Sequence, residues 1–170
     1  MNHEESKLQQ QCVAEFRSEY PELAMLLVHP INEGSGHTQM DRRRQGIHKA
    51  EGAVAGVPDL LFFMPSMIEI VDESLRNHTC FRMYNGLGIE FKTLKGRQSQ
   101  EQKEFQKMFE AAGYQYEVVR SKDEFKRVIR NYLYGADTFA FHRVVQAYDE
   151  ITESAKAKER EKFYKVIGKK

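Results

Sequence analysis

Leu87-Gly88-Ile89-Glu90-Phe91-Lys92-Thr93 constrains the fold of this chain more than any other stretch. The run is apolar enough for a buried strand, and an Asn85-Gly86 turn precedes it. Yet it carries a carboxylate and an ammonium. Two residues apart on a strand, Glu90 and Lys92 face the same way, with Phe91 opposite. Burying such groups costs several kcal/mol unless they pair or bind a metal. A second stretch, Gly56-Val57-Pro58-Asp59-Leu60-Leu61-Phe62-Phe63, sets another carboxylate at the head of an apolar strand. Two carboxylates and a lysine at the ends of apolar strands suggest a divalent-metal site. The Glu-x-Lys spacing alone is weak, because it recurs at Glu5/Lys7 and Glu124/Lys126, both at helix starts. A plain salt bridge on a half-exposed strand explains Glu90/Lys92 by itself. Asp59 shifts the balance towards chemistry.

The rest of the chain alternates helices and strands. Residues 4–20 read as an amphipathic helix with Leu8, Cys12, Val13 and Phe16 on one stripe, ending before Pro21. Residues 26–31 read as a first strand, followed by a glycine-containing loop over 32–36 and a weakly helical, arginine-rich stretch over 38–52. Leu60–Met64 is the second strand. Met67–Val71 and Cys80–Tyr84 read either as strands flanking a polar loop or as part helix. Ser99 and Gln102 form a capping box for a helix with Phe105, Met108, Phe109 and Ala112 inward, closed by Gly113. Tyr116–Val119 is a strand. Ser121 and Glu124 open a helix with Phe125, Val128, Ile129 and Leu133 inward. Residues 138–165 read as a further helix with Phe141, Val144, Val145, Tyr148 and Ile151 as its stripe. This order predicts an α/β domain over 1–134, with a mixed central β-sheet flanked by helices, and a C-terminal helical extension over 135–170.

Composition sets outer limits. The chain has 170 residues, enough for one domain with a real core, and a net charge of +1. Residues 155–170 hold seven Lys/Arg against two Glu, so the neutral total hides a basic tail. Arg42, Arg43, Arg44 and Lys49 form a second basic cluster, which fits nucleic acid or simply a solvated face. No apolar run approaches the length of a membrane span, and the polar start is not a secretory signal. Cys12 and Cys80, far apart, read as reduced thiols of a cytoplasmic protein. The six histidines show no zinc spacing and read as surface or loop residues. No nucleotide-binding or serine-hydrolase motif is present, so no nucleotide cofactor is expected.

Gly56-Val57-Pro58-Asp59, Gly88-Ile89-Glu90-Phe91-Lys92 and Gly96-Arg97-Gln98-Ser99-Gln100-Glu101-Gln102 together resemble the PD-(D/E)XK nuclease superfamily. More narrowly, they resemble its VRR-NUC (virus-type replication-repair nuclease) branch. Glu5 with Gln9, and Pro30-Ile31-Asn32-Glu33-Gly34, also match that branch's small members. The resemblance covers about residues 4–133 and implies a restriction-endonuclease-like core. The gap from Asp59 to Glu90 is longer than the pattern, and the helix after Gly135 is an addition.

The resemblance implies that Asp59 and Glu90, joined by the backbone carbonyl of Phe91, ligate Mg²⁺ or Mn²⁺, which take oxygen ligands and keep waters. Lys92 would position or deprotonate the attacking water and stabilise charge on phosphorus. Glu5 would complete the metal shell, although a helix-start carboxylate needs no such role, and Glu4 and Glu15 compete. Gln102 would stand near the lysine and the phosphate, although capping also accounts for it. Asn32, Arg42, Arg43, Arg44, Lys49, Lys95 and Arg97 are candidate DNA contacts. The expected function is a metal-dependent endonuclease on branched DNA (a Holliday junction or flap) in phage or mobile-element replication, repair or recombination, working as a homodimer. The rival readings are a non-catalytic DNA-binding subunit of a phage replication or packaging complex, and a sequence-specific restriction-type enzyme.

Overall fold

The computed structural model describes residues 3–30, 47–48, 50–72, 78–134 and 138–167. Helix α1 (His3–Glu19) is followed by a 3₁₀ turn (Pro21–Leu26) and a two-residue strand, β1 (Leu27–Val28). Strands β2 (Leu60–Phe62), β3 (Ser66–Asp72), β4 (His78–Tyr84) and β5 (Leu87–Phe91) come next. Helix α2 (Gln100–Ala111), β6 (Gln115–Val119), α3 (Lys122–Tyr134) and α4 (Thr138–Ile167) complete the order. The expectation of a mixed central sheet flanked by helices, with a C-terminal helix, is met. Of the stretch expected to be weakly helical, only residues 47, 48 and 50–52 are described, and the first three are helical.

The sheet runs β1-β2-β5-β6. β2 is antiparallel to both β1 and β5, whereas β5 and β6 are parallel. A parallel pair needs a crossover, and α2 supplies it. All five residues of β5 are buried, as a central strand requires when helices cover both faces. On one face, Phe16 of α1 meets Phe62 edge-on at 5.4 Å, and Phe125 of α3 stacks on Phe91 at 6.0 Å. On the other, Phe109 of α2 stacks on Tyr114 at 4.3 Å and meets Tyr116 edge-on. Gly88 eases this packing: a Cβ would lie 3.0 Å from both the Phe109 ring and the Pro58 side chain, which would have to shift to admit it.

Residues 66–72 and 78–84, in a region readable two ways, are strands: β3 and β4 form a separate antiparallel ribbon. Its root is fixed to α3, where Ser66 donates to the Tyr132 carbonyl and the Tyr132 hydroxyl donates to Met64, both at 2.7 Å. Asn85-Gly86 therefore joins the ribbon to the central sheet and makes no hairpin. The inward stripe expected for α2 is narrower than its pattern. Phe105 and Phe109 are half-buried, but Met108 is 72% exposed and Ala112 falls in the C-cap. Tyr114 and Tyr116, before and within β6, pack against Phe109 of that helix. In α4, Phe141 and Val144 pack on the core while Ile151 stays exposed.

Candidate active site

β2 and β5 bring the polar groups together. Their register pairs Leu60 with Ile89, and one further step sets Asp59 opposite Glu90. Directly opposed residues share a face, so two carboxylates meet there, an arrangement that like charges oppose. Glu90 is 1% exposed and Lys92 9%. The Lys92 ammonium hydrogen-bonds Glu90 Oε1, and the Gln102 amide also donates to that oxygen. The Tyr116 hydroxyl lies 3.5 Å from Glu90 Oε2, and burial beside Glu90 pushes its phenol up. Burial pushes the Glu90 carboxyl above its ordinary range, and the charge of Asp59 adds to the shift. Burial raises Asp59 as well, against a hydrogen bond from the Phe91 N–H to its Oδ2 at 2.8 Å.

The donor set suits a hard cation. Asp59 Oδ1 has no hydrogen-bond partner among the described residues. The Phe91 N–H turns to Asp59 Oδ2 and the next N–H, of Lys92, to the Val119 carbonyl, so the Phe91 carbonyl lies on the β2 side of the strand, a backbone oxygen beside two repelling carboxylates. Among the described residues, no three Asp, Glu, His or Cys side chains stand ready as a ligand cluster. An ion here would rest on Asp59, Glu90, the Phe91 carbonyl and water.

Helix α2 is pressed onto this site by the loop before Asp59. Gly56 has φ +84°, and a Cβ on it would fall 2.3 Å from the Glu101 carbonyl oxygen. Only glycine permits that approach. Gln102 then does two jobs at once. Its Oε1 accepts from the Ser99 N–H at 2.9 Å while its own N–H donates to Ser99, closing the capping box, and its Nε2 holds Glu90.

Glu5 reaches from α1 to the end of β5, where its Oε1 accepts from the Thr93 N–H at 3.0 Å. Its charge is felt at Asp59, but that oxygen is occupied by the backbone. Beside it opens a cavity of about 480 Å³ lined by Glu4, Glu5, Lys92, Lys95 and Arg120. Arg97 is exposed on the same loop. Asn32, Arg42, Arg43, Arg44 and Lys49 lie outside the described residues. Two residues escaped the sequence reading. Arg120 donates to the Gly96 carbonyl at 3.3 Å, between Lys95 and Arg97, and His29 touches Asp59. No spacing marks either, since β6 and β1 bring them in from distant segments.

The family model described as the VRR-NUC domain matches residues 3–123. A solved structure described as a VRR_NUC domain protein has the same fold, with a TM-score of 0.58 at 20% identity, covering 81% of this chain and 93% of that one. No curated protein matches the chain.

Proposed function

The chain belongs to the VRR-NUC domain family, a nuclease family, and on that premise we propose that it is a divalent-metal-dependent endodeoxyribonuclease. Its substrate is branched DNA, a four-way junction or a flap, met in phage or mobile-element replication, repair or recombination. What supports this reading is one observation: Asp59 and Glu90 oppose each other across β2 and β5, with Lys92 on the same face.

Asp59, Glu90 and the Phe91 carbonyl would hold Mg²⁺ or Mn²⁺, with Glu5 close by. When bound, the ion supplies Lewis-acid polarisation of the phosphate and a more acidic water. Lys92, released from Glu90, directs its ammonium hydrogens at the attacking water or at a non-bridging phosphate oxygen. Gln102 keeps Glu90 oriented when Lys92 turns away. Lys95, Arg97 and Arg120 offer positive charge to the DNA backbone, as do Arg42, Arg43, Arg44 and Lys49, and Asn32 offers a neutral amide. A symmetric homodimer would set two such sites on a two-fold substrate.

The test is cleavage of four-way junction, flap and linear DNA in Mg²⁺, Mn²⁺ or EDTA, with D59A and K92A alongside. Cutting of branched DNA that needs the metal and is lost in both variants is expected. Metal-dependent cutting that persists in both variants refutes the site. Binding without any cutting favours a non-catalytic DNA-binding subunit.

A further inference from the structure

On the side of Asp59 away from Phe91, two side chains converge on its backbone. Gln9 of α1 is only 8% exposed, although polar. His29 follows β1, whose antiparallel register with β2 carries it to the start of that strand. Its Nδ1 lies 2.7 Å from the Asp59 carbonyl oxygen, and Gln9 Nε2 lies 3.4 Å from the same oxygen. A carbonyl only accepts, so the shorter contact places the ring hydrogen on Nδ1. Gln9 Nε2 and His29 Nδ1, 3.1 Å apart, are then two donors side by side on one acceptor.

Asp59 is therefore held on both sides of its Cα. Pro58 fixes the backbone before it, the Phe91 N–H takes Oδ2, and the two donors take the carbonyl. Rotation about the Asp59 backbone is what would swing Oδ1 away from Glu90. We propose that His29 and Gln9 are positioning residues: by clamping the Asp59 carbonyl they hold its free carboxylate oxygen where a divalent ion binds. This role rests on the nuclease reading of the site. Nothing else about these two side chains requires their convergence. A strand-end carbonyl is satisfied by one donor or by water, and here it takes a buried amide and an imidazole from separate elements.

The test uses the full chain with Mn²⁺ as the probe. His29 is exposed, so its variants should fold. In H29A the donor is lost, whereas in H29N the amide nitrogen stands close to where Nδ1 stood. Calorimetry should show Mn²⁺ affinity falling about tenfold to a hundredfold in H29A, as for other groups that orient a metal ligand. H29N should recover most of it, with the metal-free unfolding midpoint equal in all three proteins. Equal affinity in wild type and H29A overturns the proposal. So does a loss that H29N does not recover, or one that tracks a falling midpoint. Ring ¹⁵N shifts of His29 give an arm independent of metal: hydrogen on Nδ1 is expected, and hydrogen on Nε2 overturns the clamp. Wild-type protein that binds no Mn²⁺ sinks the nuclease reading and this role together. Wild-type binding left intact by H29A sinks the clamp alone.

Discussion

Strand β5 and helix α3 carry the same spacing, Glu90/Lys92 in one and Glu124/Lys126 in the other. On the strand the two side chains share a face and pair with each other in the interior. On the helix, two residues turn the chain by about 200°, so the same two types point apart. Glu124 accepts from the Arg120 N–H at 2.7 Å, and Lys126 crosses to Glu15 of α1 at 2.6 Å. The two lysine-bound glutamates also titrate in opposite directions. The Lys126 hydrogen bond holds Glu15 below the usual carboxylate range, and the charge of Lys122 adds to it. Glu90 is raised in spite of Lys92, because burial and Asp59 outweigh the ammonium. A lysine beside a glutamate thus serves as a surface tie in one place. In the other it is a counter-ion in a site that still favours more positive charge.

The largest expected break in this comparison is catalytic. K92A and D59A should each lower junction cleavage by about a thousandfold or more. K126A should leave the rate unchanged in the same assay. Next comes Gln102, which joins helix α2 to Glu90. Q102A should reduce the rate and cost about 1 kcal/mol of stability through the lost cap. Q102E keeps the acceptor for the Ser99 N–H but loses the donor to Glu90. It should therefore match Q102A in rate and retain the cap, as denaturant titration of both would show.

The pH dependence sharpens the contrast further. Folded pKa values of Asp59 and Glu90 lie above their unfolded values. Their contribution to metal-free stability is thus fully present below the ordinary carboxylate range and lost as pH rises through the raised values. Mg²⁺ needs both groups ionised, so its stabilisation should run the other way and fade on acidification. D59N should raise the metal-free midpoint at neutral pH by about 2 °C and abolish the Mg²⁺-induced rise, as thermal scans with Mg²⁺ or EDTA would show. The smallest effect belongs to Glu15, whose lowered pKa makes its contribution present above the carboxylate range and lost as pH falls. E15Q should shift the neutral-pH midpoint less than D59N and leave cleavage unchanged.

Much of this is legible in the sequence. The strand alternation at Glu90 and Lys92, the Pro58-Asp59 turn and the Ser99/Gln102 capping box are local features, set within a few residues of the chain. Ambiguity lies where local preference is balanced, as in residues 66–72 and 78–84, whose pairing as a ribbon is decided by each strand's partner. Met108 was misread because an apolar residue on a helix reaches the core only where a sheet lies beneath it. His29 and Arg120 carry no local signal, and Gln9 is marked only through the family resemblance.

The sequence by itself determined the chemistry available: two carboxylates and a lysine on apolar strands, and a glutamine at a helix start. These follow from backbone period and side-chain type, which need no distant partner. Tertiary structure alone decided which of those groups meet. Antiparallel register set Asp59 against Glu90, and the close approach at Gly56 laid Gln102 on Glu90. β1 carried His29 to the Asp59 carbonyl. Contacts between residues 12 to 50 positions apart depend on how whole elements pack, and no spacing along one chain encodes that.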